Sequence, residues 1–102
     1  MQIAGFDWDE GNRSKCRAHG LSQAAIESMF CGSIAVLPDP VHSKSEERFK
    51  AFGRSDNGRW IFVVFALRIR CGKRPVRPIS ARYMHKKEVD HYEKETAAPQ
   101  KR

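Results

Sequence analysis

The stretch that decides the fold is residues 47–67, "ERFKAFGRSDNGRWIFVVFAL". Its first part alternates, with Phe49 and Ala51 on one face and Arg48, Lys50, Phe52 and Arg54 on the other, as in a half-buried strand. "SDNG" at 55–58 is a tight-turn signal, because Asn57 and Gly58 tolerate the positive φ angles of a hairpin. "RWIFVVFAL" then runs apolar on both faces, which marks a central strand covered on both sides. A hairpin of one amphipathic and one wholly apolar strand needs a further strand beyond it and helices over it.

Both are readable nearby. Past the basic, glycine-containing tip "RIRCGKR", "VRPISAR" (76–82) reads as a third strand, and its Pro78 argues for an edge or a bulge. Upstream, "SIAVLPDP" is a short strand halted by Pro38 and Pro40, followed by the polar loop "VHSKSE". "SQAAIESMFCG" predicts a helix starting at Ser22, with Ala25, Ile26, Met29 and Phe30 as its apolar stripe and Gly32 as its stop. Asp9 is a candidate N-cap for an earlier helix over Glu10 to His19, closed by Gly20. "IAGFDWD" alternates like a short strand. His85 to about Glu95 predicts a last helix, with Glu88, Val89, Tyr92 and Glu93 at neighbouring spacings.

The order β-α-α-β-β-β-β-α gives an α+β domain with a mostly antiparallel sheet packed by two N-terminal helices and a C-terminal one. At 102 residues the chain accommodates one core. We assign residues 1–95 to a single domain and 96–102 to a flexible C-terminal tail. The longest apolar run, Trp60 to Leu67, falls far short of the roughly 20 residues that span a bilayer. No basic leader precedes an apolar run at the start, so a cytoplasmic setting is expected. Three scattered cysteines, none in a CxxC pair, fit reduced thiols, with Cys31 expected as a small buried hydrophobe.

The net charge of +7 is placed unevenly: residues 53–102 carry 13 Lys and Arg against 5 Asp and Glu, and residues 1–52 carry 6 against 7. A one-sided positive field draws polyanions, which makes nucleic acid or an acidic protein the leading ligand class; solubility alone is the plainer use of such charge. No helix has an arginine-rich recognition face, which disfavours DNA reading by the chain itself.

Four segments, "FDWDEGNRSKCRAHGLS", "PDPVHSKSEERFKAFGRSDNGR", the apolar strand and "RPISARYMHKKEVDHYE", resemble the BrnT toxins, the ribonuclease half of bacterial type II toxin–antitoxin pairs. Together they span residues 6–93, roughly nine tenths of the chain from the first segment to the last. Departures are Met84 in place of a small residue, His85-Lys86-Lys87 after the SAR triplet, and Phe6-Asp7-Trp8-Asp9 as a variant of FEWD. The resemblance implies a RelE-like fold and a metal-independent endoribonuclease that inhibits translation and growth. It also implies a BrnA-type antitoxin, in a two-plus-two assembly that represses its operon through the antitoxin. An antitoxin acidic where it meets residues 53–102 would neutralise the field that draws RNA.

Internal RNA cleavage needs no cofactor, because the 2′-hydroxyl is the nucleophile. The protein must align that oxygen with phosphorus, move protons and stabilise charge on the phosphate. Candidate catalytic residues are His19, Glu47, Arg48, Arg54 and Arg82; Arg77, Lys86, Lys87 and Tyr92 are candidate RNA contacts. Arg82 leads, since a guanidinium fork matches two phosphate oxygens and stays charged; the competing use is a salt bridge to Glu10, Glu47 or Glu88. His19 can transfer protons near neutral pH or simply face the carbonyls of a helix end. Glu47 can serve as a base or position Arg48 or Arg54. Tyr92 and Trp60 can stack on a base, but packing against the sheet for Tyr92 and core burial for Trp60 are the simpler expectations. His42, His85 and His91 lack the spacing of a metal site, and no metal or other cofactor is expected.

Overall fold

The computed structural model describes residues 3–69 and 71–97. Four antiparallel strands, β1 (Ala35–Pro38), β2 (Arg48–Arg54), β3 (Trp60–Leu67) and β4 (Val76–Tyr83), lie in the order β1-β2-β3-β4. Helices α1 (Glu10–Arg17) and α2 (Gln23–Cys31) precede them, a 3₁₀ turn spans Pro40–His42, and α3 (Lys86–Ala97) follows. The α+β expectation holds. Among the described residues no helix is long and apolar enough to cross a membrane.

The hairpin sets the register: Phe49 faces Phe65, Ala51 faces Val63 and Arg54 faces Trp60. Gly58 alone supplies the positive φ at the turn, at 83°; Asn57 does not, and the one non-glycine residue with positive φ among those described is Cys71. β3 is central as expected, with Ile61, Val63 and Phe65 at 0% exposure. Both readings of Pro78 are met. β4 is an edge strand, and its register shifts between Val64 and Phe65, whose partners are Ser80 and Pro78, leaving Ile79 as the extra residue of a bulge.

One sheet face is packed by α1 and α2. Ile26, Met29 and Phe30 of α2, Cys16 of α1 and Leu21 between the helices meet Ala51, Ile61, Val63, Phe65, Val76 and Ala81 in the core. Phe30 sets its ring edge against Phe65 at 5.4 Å. α2 crosses so close to β2 that a Cβ on Gly53 would lie 2.7 Å from Met29 Cγ. Ser22 caps α2 by accepting from the Ala25 amide.

Four expectations are corrected. The N-terminal strand reduces to one parallel bridge, Phe6 to Val76, because Gly5 turns at φ 124° and Asp9 already caps a helix. α1 ends at Arg17, so His19 lies just beyond it, in the turn that Gly20 makes at φ 83°. Cys31 is exposed at the end of α2, and the buried thiol is Cys16, whose pKa burial pushes up. The tail expected at 96–102 begins inside α3, and its part from 98 on lies outside the described residues, as does Arg70 of the basic tip.

Candidate active site

The other sheet face carries the charged strand positions. Side chains alternate along a strand, so Arg48 and Arg54 of β2 point where Phe62 and Val64 of β3 and Arg77 and Arg82 of β4 point. α1 runs beside β4 and adds its own residues to that edge.

Asn12 makes the joint. It is 5% exposed, and its amide donates to the carbonyl oxygens of Pro78 at 2.7 Å and Asp7 at 3.0 Å. Its Oδ1 accepts from the Asp9 amide at 2.7 Å while Asp9 Oδ1 accepts from the Asn12 amide, a reciprocal cap. Arg77 adds a second tie, with Nη2 at 2.6 Å from Asp9 Oδ2 and Nη1 at 3.7 Å from Asp7 Oδ2. The Asn12 amide, followed by Arg77, holds the Asp9 carboxyl below its usual range.

Two hollows open along this joint. A groove of ≈ 560 Å³ is lined by Asn12 and Lys15 of α1, Glu46, Arg48, Arg68, Arg77 and Ile79. Glu46 bridges Arg48 at 3.5 Å and Arg68 at 3.4 Å. A tight cleft of ≈ 50 Å³ is lined by His19, Phe62, Ser80, Ala81 and Arg82. Ile79 and Ser80 are consecutive in the bulge, so the hollows succeed one another along β4.

Arg82 is in the ion pair that its competing reading required. Its Nη1 and Nη2 donate to the two carboxylate oxygens of Glu88, each at 2.7 Å. The bonds from Arg82, then the His85 amide, hold Glu88 at a pKa of about 2, and the same carboxylate raises that of Arg82. The guanidinium also lies 5.1 Å from the centre of the Phe62 ring. Two of its five N–H donors are taken by Glu88, and the pair fixes the direction of the fork.

The remaining candidates separate. Arg54 stands six residues along β2 from Arg48, about 20 Å at strand rise, and pairs with Glu93 at 3.3 Å over the Trp60 ring. Glu47 is exposed and lines neither hollow; the carboxylate that meets Arg48 is Glu46, one residue earlier. Lys86 and Lys87 are exposed on α3, Lys86 pairing with Asp90. Tyr92 packs on the sheet as expected, stacked on Phe52 at 4.9 Å and edge-on to Trp60 at 5.1 Å. Trp60 is half-buried beneath α3 and outside the core, with Nε1 donating to Glu93. Among the described residues, no three His, Cys, Asp or Glu side chains gather as a metal site.

Sequence reasoning missed Lys15, Glu46, Arg68, Ser80 and the positioning role of Asn12.

A profile of the family described as "Ribonuclease toxin, BrnT, of type II toxin-antitoxin system" matches residues 8–88. The chain belongs to the BrnT family. No curated protein sequence matches it. The matched span holds both hollows of this BrnT chain, from Asp9 to Arg82, and ends on Glu88, the partner of Arg82. It stops before Tyr92. BrnT members are the ribonuclease toxins of type II toxin–antitoxin systems, so an antitoxin is the implied counterpart.

Proposed function

We propose that this chain cuts RNA internally without a metal ion, at the cleft that His19 and Arg82 both line. The observation that carries this reading is that shared cleft, which sets an imidazole, able to take or give a proton, on the same lining as a guanidinium fixed by Glu88. The 2′-oxygen attacks phosphorus, His19 takes its proton, and the P–O5′ bond breaks to leave a 2′,3′-cyclic phosphate and a 5′-hydroxyl. The departing 5′-oxygen takes a proton from the imidazolium so formed or from water. Arg82 donates to the non-bridging oxygens, whose charge grows as the five-coordinate phosphorus forms; such donors act most strongly on that state. Proton transfer by a positioned imidazole contributes roughly 10²–10⁴-fold. Arg48 and Arg77 hold the strand in the adjoining groove.

In this reading the toxin acts in the cytoplasm, within a RelE-like fold, and inhibits translation and growth. A BrnA-type antitoxin neutralises it in a two-plus-two complex that represses its own operon. Acidic antitoxin side chains would compete for the cations that RNA uses.

The ion pairs favour a second reading. Arg48, Arg77 and Arg82 each already meet a carboxylate, which suits a basic module that binds RNA or an acidic protein without turnover. One experiment separates the two: purified chain incubated with RNA in excess chelator. Cleavage yields shortened products with 5′-hydroxyl ends; a pure binder yields intact RNA of retarded mobility, and that result would sink the enzymatic reading.

A further inference from the structure

The larger groove holds more positive charge than its ion pairs consume. Lys15, Arg48, Arg68 and Arg77 line it, against the carboxylates of Asp9, Glu10 and Glu46. Glu10 is turned to the exposed side of α1, bonded to Arg13 and Arg17 at 3.3 Å each. Asp9 is engaged by the helix cap and Arg77. Among the described residues that leaves one carboxylate, Glu46, for both Arg48 and Arg68, and its contacts of 3.5 and 3.4 Å are long beside the 2.7 Å of the Arg82–Glu88 pair. The Nε atoms of Arg48 and Arg77 are buried and make no hydrogen bond among the described residues. Those two Nε atoms are closed to a ligand, but each guanidinium has five N–H donors and the two side chains stay 26% and 13% exposed on the groove, so donors beyond the ion pairs suit an oxygen-rich anion.

Position sets which anion. Arg77 pairs with Ala66 and Arg82 with Phe62, four residues apart on β3, which places the groove about 13 Å from the cleft at strand rise. That is beyond the phosphate next to the scissile one in the same strand. At ≈ 560 Å³ the groove also has more than ten times the volume of the ≈ 50 Å³ cleft, room for a phosphodiester together with its flanking sugars.

We infer that Arg48, Arg68, Arg77 and Lys15 form a second phosphate subsite, which grips a phosphodiester beyond the nearest neighbour of the bond held at His19 and Arg82. The inference rests on the reading of the cleft as the cutting site. It makes the chain a reader of strand length: a strand too short to reach the groove loses that grip.

The test uses binding alone. A 2′-O-methyl RNA oligonucleotide lacks the nucleophile, and its phosphodiesters can be replaced one at a time by neutral methylphosphonates. Affinity is measured by fluorescence anisotropy for the wild-type chain, for Arg68→Gln and, as a second variant on the opposite wall, for Lys15→Gln. The expected result is one linkage, past the neighbour of the most sensitive one, whose neutralisation weakens wild-type binding roughly tenfold, the scale of one charge-assisted contact. In either variant the same replacement costs under about twofold, and the salt slope of the all-phosphate strand falls by about 0.7. Equal losses in wild type and both variants, or no sensitive linkage past the neighbour, overturn the subsite. Failure of the unmodified RNA to be cut, with this binding pattern intact, instead overturns the reading of the cleft.

Discussion

The two faces of the sheet are covered by different physics. On one, α1 and α2 bury an apolar layer in which Ile26, Ile61, Val63 and Phe65 are 0% exposed. On the other, α3 is held by Tyr92 over Phe52 and Trp60, and by Glu88 and Glu93 on Arg82 and Arg54. Area removed from water stabilises the first; half-exposed ion pairs contribute little to the second. The lesson is that the stable face supports the fold, while the polar face keeps charged groups within reach of a ligand.

Four substitutions or conditions sharpen or break that contrast. Phe65→Ala should have the largest effect on stability, about 3–5 kcal/mol in denaturant unfolding, from a cavity at the centre of the core. Asn12→Ala should cost about 2 kcal/mol by leaving the Pro78 and Asp7 carbonyls unpaired, and should reduce RNA cleavage because α1 and β4 carry opposite walls of the site. Tyr92→Ala should cost only about 1–2 kcal/mol, from a half-buried ring and its aromatic neighbours; a loss matching that of Phe65→Ala would erase the difference between the faces.

The smallest effect is that of pH. Glu88 has a pKa of about 2 in the folded chain against its ordinary 4.5. A lowered carboxyl contributes stability that is complete above about 4.5 and fades as pH falls towards 2. Its side chain is 38% exposed, so solvent screening limits the contribution to under about 1 kcal/mol. Tryptophan emission and far-UV circular dichroism followed from pH 5 to pH 2 should show α3 loosening in the wild type, and Glu88→Gln should remove that part of the change.

Local chemistry made most of the fold legible. The alternation of 48–54, the apolar run of 60–67, the caps at Asp9 and Ser22 and the proline in β4 are each a residue type acting on its own backbone. The N-terminal strand misled because alternation in "IAGFDWD" has the right period but too little length before the cap at Asp9. Cys31 misled because it adjoins an apolar stripe yet points off it, where α2 leaves the sheet. The site was legible in part. His19, Arg48, Arg77 and Arg82 could be named from their chemistry, but which carboxylate meets which arginine depends on register. Glu46 and Glu47 are adjacent, and only the path of the chain into β2 decides between them. Arg68 was hidden in a run of basic residues that read as a tip, and the separation of Arg54 from the rest appears only when strand positions are counted across the sheet.

The most direct test of the cutting site is the single-turnover cleavage rate of Arg82→Ala on RNA, with a thermal melt of the same sample. The account predicts a fall of roughly 10²–10³-fold, the size of one lost oxyanion donor, in a protein that still unfolds cooperatively. A rate within a few-fold of wild type in that folded variant would contradict it.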